Sequence, residues 1–125
     1  MIQDTRLAMR ATIFALLVLV LSGATAAAQS ISGRYEVEGT NPNGSTYSGT
    51  AEITQTSAST CRIAWHVGSE WRGICMLSGD VFAAAYHSGD TSGLLIFRRA
   101  GDGTLSGVWT VGGGGDGTET LTPMR

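Results

Sequence analysis

Two five-residue segments, Cys61-Arg62-Ile63-Ala64-Trp65 and Trp71-Arg72-Gly73-Ile74-Cys75, are nearly mirror images of each other about Gly68. Folded back at that glycine, the chain sets Trp65 opposite Trp71 and Cys61 opposite Cys75. An antiparallel hairpin gives this symmetry a structural use. Directly opposed residues in such a pair have Cα atoms roughly 4.5 to 5.5 Å apart, within reach of a disulfide. A cross-strand cystine is therefore expected between Cys61 and Cys75. Closing a loop of about 15 residues is worth roughly 3 kcal/mol on the chain-entropy account, a large share of a small domain's stability.

The segments on either side follow the same logic. Ile31, Gly33, Tyr35 and Val37 alternate with Arg34, Glu36 and Glu38 over a strand from about residue 31 to 39. Asn41-Pro42-Asn43-Gly44 then turns the chain, because proline pre-sets φ and Asn-Gly tolerates positive φ. From about residue 46 to 56, Tyr47, Gly49, Ala51 and Ile53 alternate with Ser48, Thr50, Glu52 and Thr54. Beyond the mirrored pair, strands are expected over 81–87, 93–99, 104–111 and 118–122, separated by Ser-Gly-Asp, Gly-Asp-Gly and glycine-run turns. The sixth strand is apolar on both faces through Leu94, Leu95, Ile96 and Phe97, so pattern alone leaves its register open. Period-two alternation without a sustained helical period marks the domain as all-β.

Eight short strands with short connections most simply form an antiparallel up-and-down meander. Closing it into a small barrel removes the edges that invite aggregation; an open sandwich is the alternative. The opening Ser30-Ile31-Ser32-Gly33-Arg34-Tyr35 is similar to the start of avidin- and lipocalin-type barrels.

The first residues have a different character. Arg6 and Arg10 precede an unbroken apolar run from Ala11 to Leu21, and Ala26-Ala27-Ala28 fits the small-x-small rule for cleavage. A signal peptide is expected over 1–28 and a single domain over 29–125, which directs the protein to the periplasm or the exterior. The apolar run is shorter than the ~20 residues that span a bilayer, so no stable anchoring is expected after cleavage. Both cysteines would then meet an oxidising compartment.

Without that leader the chain carries six arginines, no lysine and nine acids, a net charge near −3. It lacks the basic footprint of a nucleic-acid binder. The composition, 42% hydrophobic and 14% charged with 18 glycines, suits one modest globular domain and excludes a disordered chain or a two-domain enzyme.

The stretches Gly39 to Ser45, Thr60-Cys61-Arg62-Ile63-x-Trp65, Gly73-Ile74-Cys75-Met76, Phe82-Ala83-Ala84-x-Tyr86 and Gly117 to Pro123 stand out. Together they resemble a family of small exported alphaproteobacterial proteins, uncharacterised or labelled fibronectin-binding protein. The likeness covers nearly all of the chain after the leader, and it implies binding to fibronectin or another extracellular protein. Where members have a plain Gly-Thr turn after the tryptophan, this chain has His66-Val67-Gly68-Ser69-Glu70-Trp71.

Tyr35, Tyr47, Trp65, Trp71 and Trp109 fall on the face that the alternation assigns to the interior. In a barrel they either fill the core or line a mouth that takes a small apolar or amphipathic ligand. Glu119 alternates with Leu121 and shares its face. Buried there, it needs Arg98, Arg99 or a tyrosine hydroxyl as partner; otherwise it reaches solvent at the barrel's end.

No other group assembles a site. His66 lies on the outward face with Arg62, and His87 ends a strand beside a turn. No Cys/His/Asp spacing forms a metal site, so neither metal nor cofactor is expected. The cysteines are expected as a disulfide, and no serine lies in a nucleophile elbow. The run Gly112 to Gly117 lacks the Lys-Ser/Thr of a phosphate loop and the repeats of a calcium nonapeptide. Asn43-Gly44-Ser45 fits a glycosylation sequon but is explained by its turn.

A non-catalytic exported binding module is the expected function. The alternative is an inhibitor of a secreted hydrolase, a lysozyme or protease. It would present the loop tips Asn41 to Ser45, Val67 to Glu70 or the glycine run to the enzyme.

Overall fold

The computed structural model describes residues 30–125, so the leader expected over 1–28 and the first residue of the expected domain lie outside the described residues. Eight strands follow one another: β1 (Gly33–Thr40), β2 (Thr46–Gln55), β3 (Thr60–His66), β4 (Glu70–Ser78), β5 (Val81–Ser88), β6 (Thr91–Arg99), β7 (Leu105–Val111) and β8 (Gly117–Pro123). Each pairs antiparallel with the next, and β8 returns to pair with β1, closing the barrel. Closure excludes the open-sandwich alternative.

The mirrored hairpin forms in the expected register, with Cys61 opposite Cys75 and Trp65 opposite Trp71. The cystine is present with Cα atoms 4.9 Å apart. β4 runs three residues beyond Cys75 to Ser78. Two-residue turns at Gly79-Asp80 and Gly89-Asp90 join β4 to β5 and β5 to β6. Their glycines have φ of 60° and 57°, the positive value that a type II′ hairpin turn needs at its first central position.

The register of β6, open in the sequence, is fixed by its neighbours. Leu95 pairs with Ala84 of β5 and Trp109 of β7, and it is buried with Phe97. Leu94 and Ile96 consequently face outward, about 60% exposed. With Ile74, Met76 and Val108 they form an apolar stretch on the outer wall of β4, β6 and β7. The outer wall of β1 and β2 instead carries exposed Arg34, Glu36, Glu38 and Glu52.

The two ends of the barrel differ in packing. At the end where β1 begins, Ile31, Ile53, Phe82, Phe97, Leu105 and Leu121 are essentially inaccessible. The Phe82 and Phe97 rings stack there at 6.1 Å and 18°. Ile31 is held as a plug: its amide donates to Gln55 Oε1 at 3.1 Å, and its carbonyl accepts from the Tyr35 hydroxyl at 2.6 Å. Burying a large aliphatic or aromatic side chain is worth about 1.5–3 kcal/mol, so this closed end carries much of the fold's stability. The opposite end carries the loops 41–45, 67–69, 89–90 and 112–116, and the interior beneath them is not filled.

Candidate ligand cavity

Short strands that alternate inward and outward deliver a ring of side chains at each level of a barrel. At the open end, the inward positions are Tyr47 of β2, Trp65 of β3, Trp71 of β4, Tyr86 of β5, Trp109 of β7 and Glu119 of β8. These residues line a cavity of about 260 Å³, completed by Asn41, Val67, Ser69, Leu95 and Val111.

Five large rings would fill this space if each pointed at the axis. Glycines on adjoining strands let them lie against the wall instead. Tyr47 pairs with Gly39, Tyr86 with Gly93, and Trp109 with Gly117. A Cβ at any of these glycines would overlap the ring of its partner. The rings also brace one another. Tyr47 meets Trp109 edge to face at 6.1 Å, and Tyr86 contacts Trp65 at 5.1 Å and Trp71 at 5.8 Å.

Glu119 is the charged member of this lining and is only 7% exposed. Its partners are a tyrosine and a tryptophan. Tyr47 donates its hydroxyl to Oε1 at 2.8 Å, and Trp65 donates its indole N–H to Oε2 at 3.1 Å. Of the partners expected for Glu119, the tyrosine hydroxyl is present, as that of Tyr47, while Arg98 and Arg99 are corrected. Arg98 bonds to Asp80 on the surface, while Arg99 reaches the Ser30 carbonyl at the closed end. An acid that simply reaches solvent at the barrel's end is also excluded by its burial.

Burial in an apolar wall penalises the carboxylate and pushes the Glu119 pKa up to about 7, against the opposing pull of the two donated hydrogen bonds. Burial likewise raises the Tyr47 and Tyr86 phenols far above their ordinary value, and the nearby Glu119 charge adds to this. Both phenols stay neutral at any physiological pH.

The remaining ring donors are also spent on protein acceptors. Trp71 Nε1 donates to Ser69 Oγ at 3.0 Å, Tyr86 Oη to the Thr110 carbonyl at 3.0 Å, and Trp109 Nε1 to the Thr118 carbonyl at 3.1 Å. The cavity wall is therefore largely aromatic, with Glu119, Asn41 and Ser69 as its other polar side chains.

Of the aromatic residues that the alternation assigned to the interior, Tyr47, Trp65, Trp71 and Trp109 come together here with Glu119. Tyr35 does not join them. It is buried on the expected face, but at the closed end, where its hydroxyl is committed to the Ile31 carbonyl. Alternation sets which face a residue occupies, not its height along the barrel. Tyr86 was missed by the sequence reading. Its signal is present: it alternates in phase with Phe82 and Ala84 and sits opposite Gly93.

Among the described residues, no group of three or more His, Cys, Asp or Glu is placed to hold a metal ion. His66 and His87 are both exposed on the outer wall.

No protein-family model matches this chain, and no curated protein sequence does. Solved structures do match, and together with the topology they define its class: a small, closed, eight-stranded antiparallel β-barrel. The chain is similar to a redesigned β-barrel, mFAP1, solved bound to DFHBI. The TM-score is 0.67 at 18% identity, over 74% of this chain and 94% of that one. A second redesigned barrel, b11L5F_LGL, matches with the same TM-score and identity over 76% and 92% of the two chains. A third barrel, a de novo design described as fluorescence-activating, matches with TM-score 0.62 at 16% identity over 74% and 93%. At these identities the likeness is one of fold.

Proposed function

We propose that this protein is a non-catalytic, exported binding module that takes a small amphipathic ligand into the open end of its barrel. The observation that carries this reading is the unfilled cavity of about 260 Å³, walled by five aromatic rings above a closed core. Ligand pockets commonly span about 300–1,000 Å³, so this one suits a single ring with a short arm rather than a lipid or dinucleotide. The similar barrel solved with DFHBI supports the reading, since that protein holds a small molecule on the same fold. Export to the periplasm or beyond is supported by the cystine, the form in which paired cysteines persist in oxidising compartments.

A protein partner is the second reading. It is favoured by the resemblance to proteins labelled fibronectin-binding and by the exposed outer residues Ile74, Met76, Leu94 and Ile96. Both readings are tested by thermal unfolding of the oxidised protein, followed by tryptophan fluorescence. The panel contains small aromatic compounds, fibronectin fragments, lysozymes and proteases. Stabilisation should grow with ligand concentration above its dissociation constant. A shift with a small compound, lost on substitution of Trp65, supports the cavity. A shift only with fibronectin fragments moves binding to the loops or outer wall, and loss of activity of a lysozyme or protease would establish inhibition instead.

A further inference from the structure

The cavity has a polarity that its shape alone does not require. All five rings direct their N–H or O–H groups to protein acceptors. What lines the space is the five rings, the Glu119 carboxylate, the Asn41 amide and the Ser69 hydroxyl, with apolar Val67, Leu95 and Val111. The other titratable groups in the lining are the phenols of Tyr47 and Tyr86, and among the described residues no arginine, histidine or lysine lines it. Glu119 is thus a buried carboxylate, 7% exposed, with two hydrogen bonds and, among the described residues, no counter-ion in the cavity.

The rings and the acid both favour positive charge. Aromatic faces attract a cation within about 6 Å of the ring centroid, with a contribution that grows as water is excluded. A buried carboxylate without a counter-ion gains more from a cation than an exposed one does, because the local dielectric is low. An anionic ligand would meet the Glu119 carboxylate, a charge of its own sign, and no cationic side chain among the described lining residues. A neutral ligand would leave the acid's requirement unmet, and the acid would keep its proton.

We infer that the ligand of this cavity is a small organic cation: an ammonium group on an aromatic or branched apolar body, the ammonium against Glu119 and the body among the rings. This rests on the reading of the cavity as a ligand site. It adds the charge and chemical class of what enters. Because Glu119 must be ionised to bind the cation, uptake releases a proton from the carboxyl group at neutral pH and weakens below it.

Three compounds sharing one phenyl body separate the cases: 2-phenylethylammonium, 2-phenylethanol and phenylacetate. The amine, like that of lysine, stays protonated throughout the range used. Calorimetric titration of the oxidised protein at pH 8 should show the ammonium binding at least about tenfold tighter than the alcohol, with no binding of the anion. The preference should shrink about tenfold or more at pH 5.5 as Glu119 takes up its proton. Glu119→Gln should abolish the preference at both pH values while keeping affinity for the alcohol, which shows that the cavity of the variant is intact. Equal or tighter binding of the alcohol at pH 8 would overturn the cation assignment and leave the cavity reading standing. So would a preference that survives in E119Q. Binding of none of the three overturns the assignment as well, and the cavity reading then rests on the wider panel described above.

Discussion

Tyr47 donates its hydroxyl to Glu119 across a strand that contains neither residue: Tyr47 belongs to β2, Glu119 to β8, and β1 runs between them. Both pair with the same residue of that strand, Gly39. The phenol crosses β1 in the space that a side chain at Gly39 would occupy. This bond therefore depends on barrel closure. In an open sheet β8 would not lie beside β1, and the acid would have no tyrosine within reach. The trio joins the seam of the barrel to the wall of its cavity.

Tyr47→Phe removes the hydroxyl and keeps the ring. Hydrogen bonds to charged groups are worth about 1.5–3 kcal/mol and neutral ones about 1 kcal/mol. The variant should thus lose about 2 kcal/mol at pH 8, where Glu119 is largely ionised, and about half of that at pH 5. The hydroxyl favours the carboxylate, so its loss should move the Glu119 pKa above its present value of about 7. Urea unfolding at the two pH values measures the first effect. Carbon-detected NMR of the carboxyl measures the second.

Gly39→Ala tests the crossing itself. The φ of Gly39 is not positive, so alanine meets no backbone strain there; its Cβ would instead overlap the Tyr47 ring. Overpacking of this kind costs about 1–3 kcal/mol. Gly101→Ala is the control, since a Cβ there meets nothing and should change stability by less than about 0.5 kcal/mol. If the cost at Gly39 comes from overlap with the Tyr47 ring, then G39A and Tyr47→Ala, which removes that ring, should be strongly non-additive in a double-mutant cycle. Additive losses would show that the glycine serves something other than this ring.

The parts of the structure that could be read from the sequence are those set by local pattern. The mirrored segments around Gly68 gave the β3–β4 register and the cystine, because a hairpin is fixed by residues close in sequence. Alternation placed Tyr47, Trp65, Trp71 and Trp109 on the inner face. Leu94 to Phe97 could not be oriented this way, since both faces of β6 are apolar and the choice is made by Ala84 and Trp109 on neighbouring strands. Tyr35 shows the second limit. Its face was correct, but the tilt and stagger of a closed barrel decided that it would cap the closed end. The partners of Glu119 show the third: a tyrosine hydroxyl is expected from the sequence, but not which tyrosine, and the Trp65 indole is not expected. They sit 72 and 54 positions away in sequence and meet it only because the barrel closes.

Replacing both Cys61 and Cys75 with serine should cost about 3 kcal/mol, the chain-entropy value for a loop of about 15 residues. The cystine lies at the level of the closed core, away from the cavity lining. Ligand affinity should therefore change little under conditions where the variant remains folded. Denaturant unfolding checks the stability. The unmodified protein should take up no thiol label without reductant, and uptake of two labels per chain would contradict the bridge.

The same carboxyl that shapes the cavity should also set how stability depends on pH. Glu119 has a folded pKa of about 7 against an ordinary value of 4.5, so the native state holds a proton that the unfolded chain releases across that window. Where the native state binds more protons than the unfolded one, stability falls as pH rises. The neutral acid's contribution is thus full below about pH 4.5, declines through the window, and is gone above about pH 7. A separation of this size corresponds to about 3 kcal/mol at ~1.36 kcal/mol per unit. The comparison is with E119Q, which keeps every other titratable group. The stability of the native protein relative to E119Q should fall by about 3 kcal/mol between pH 4.5 and pH 8. Parallel stability curves for the two proteins would mean that Glu119 ionises as readily inside the barrel as in water. A saturating organic ammonium should flatten the native protein's descent, because it binds the ionised form and restores what ionisation costs.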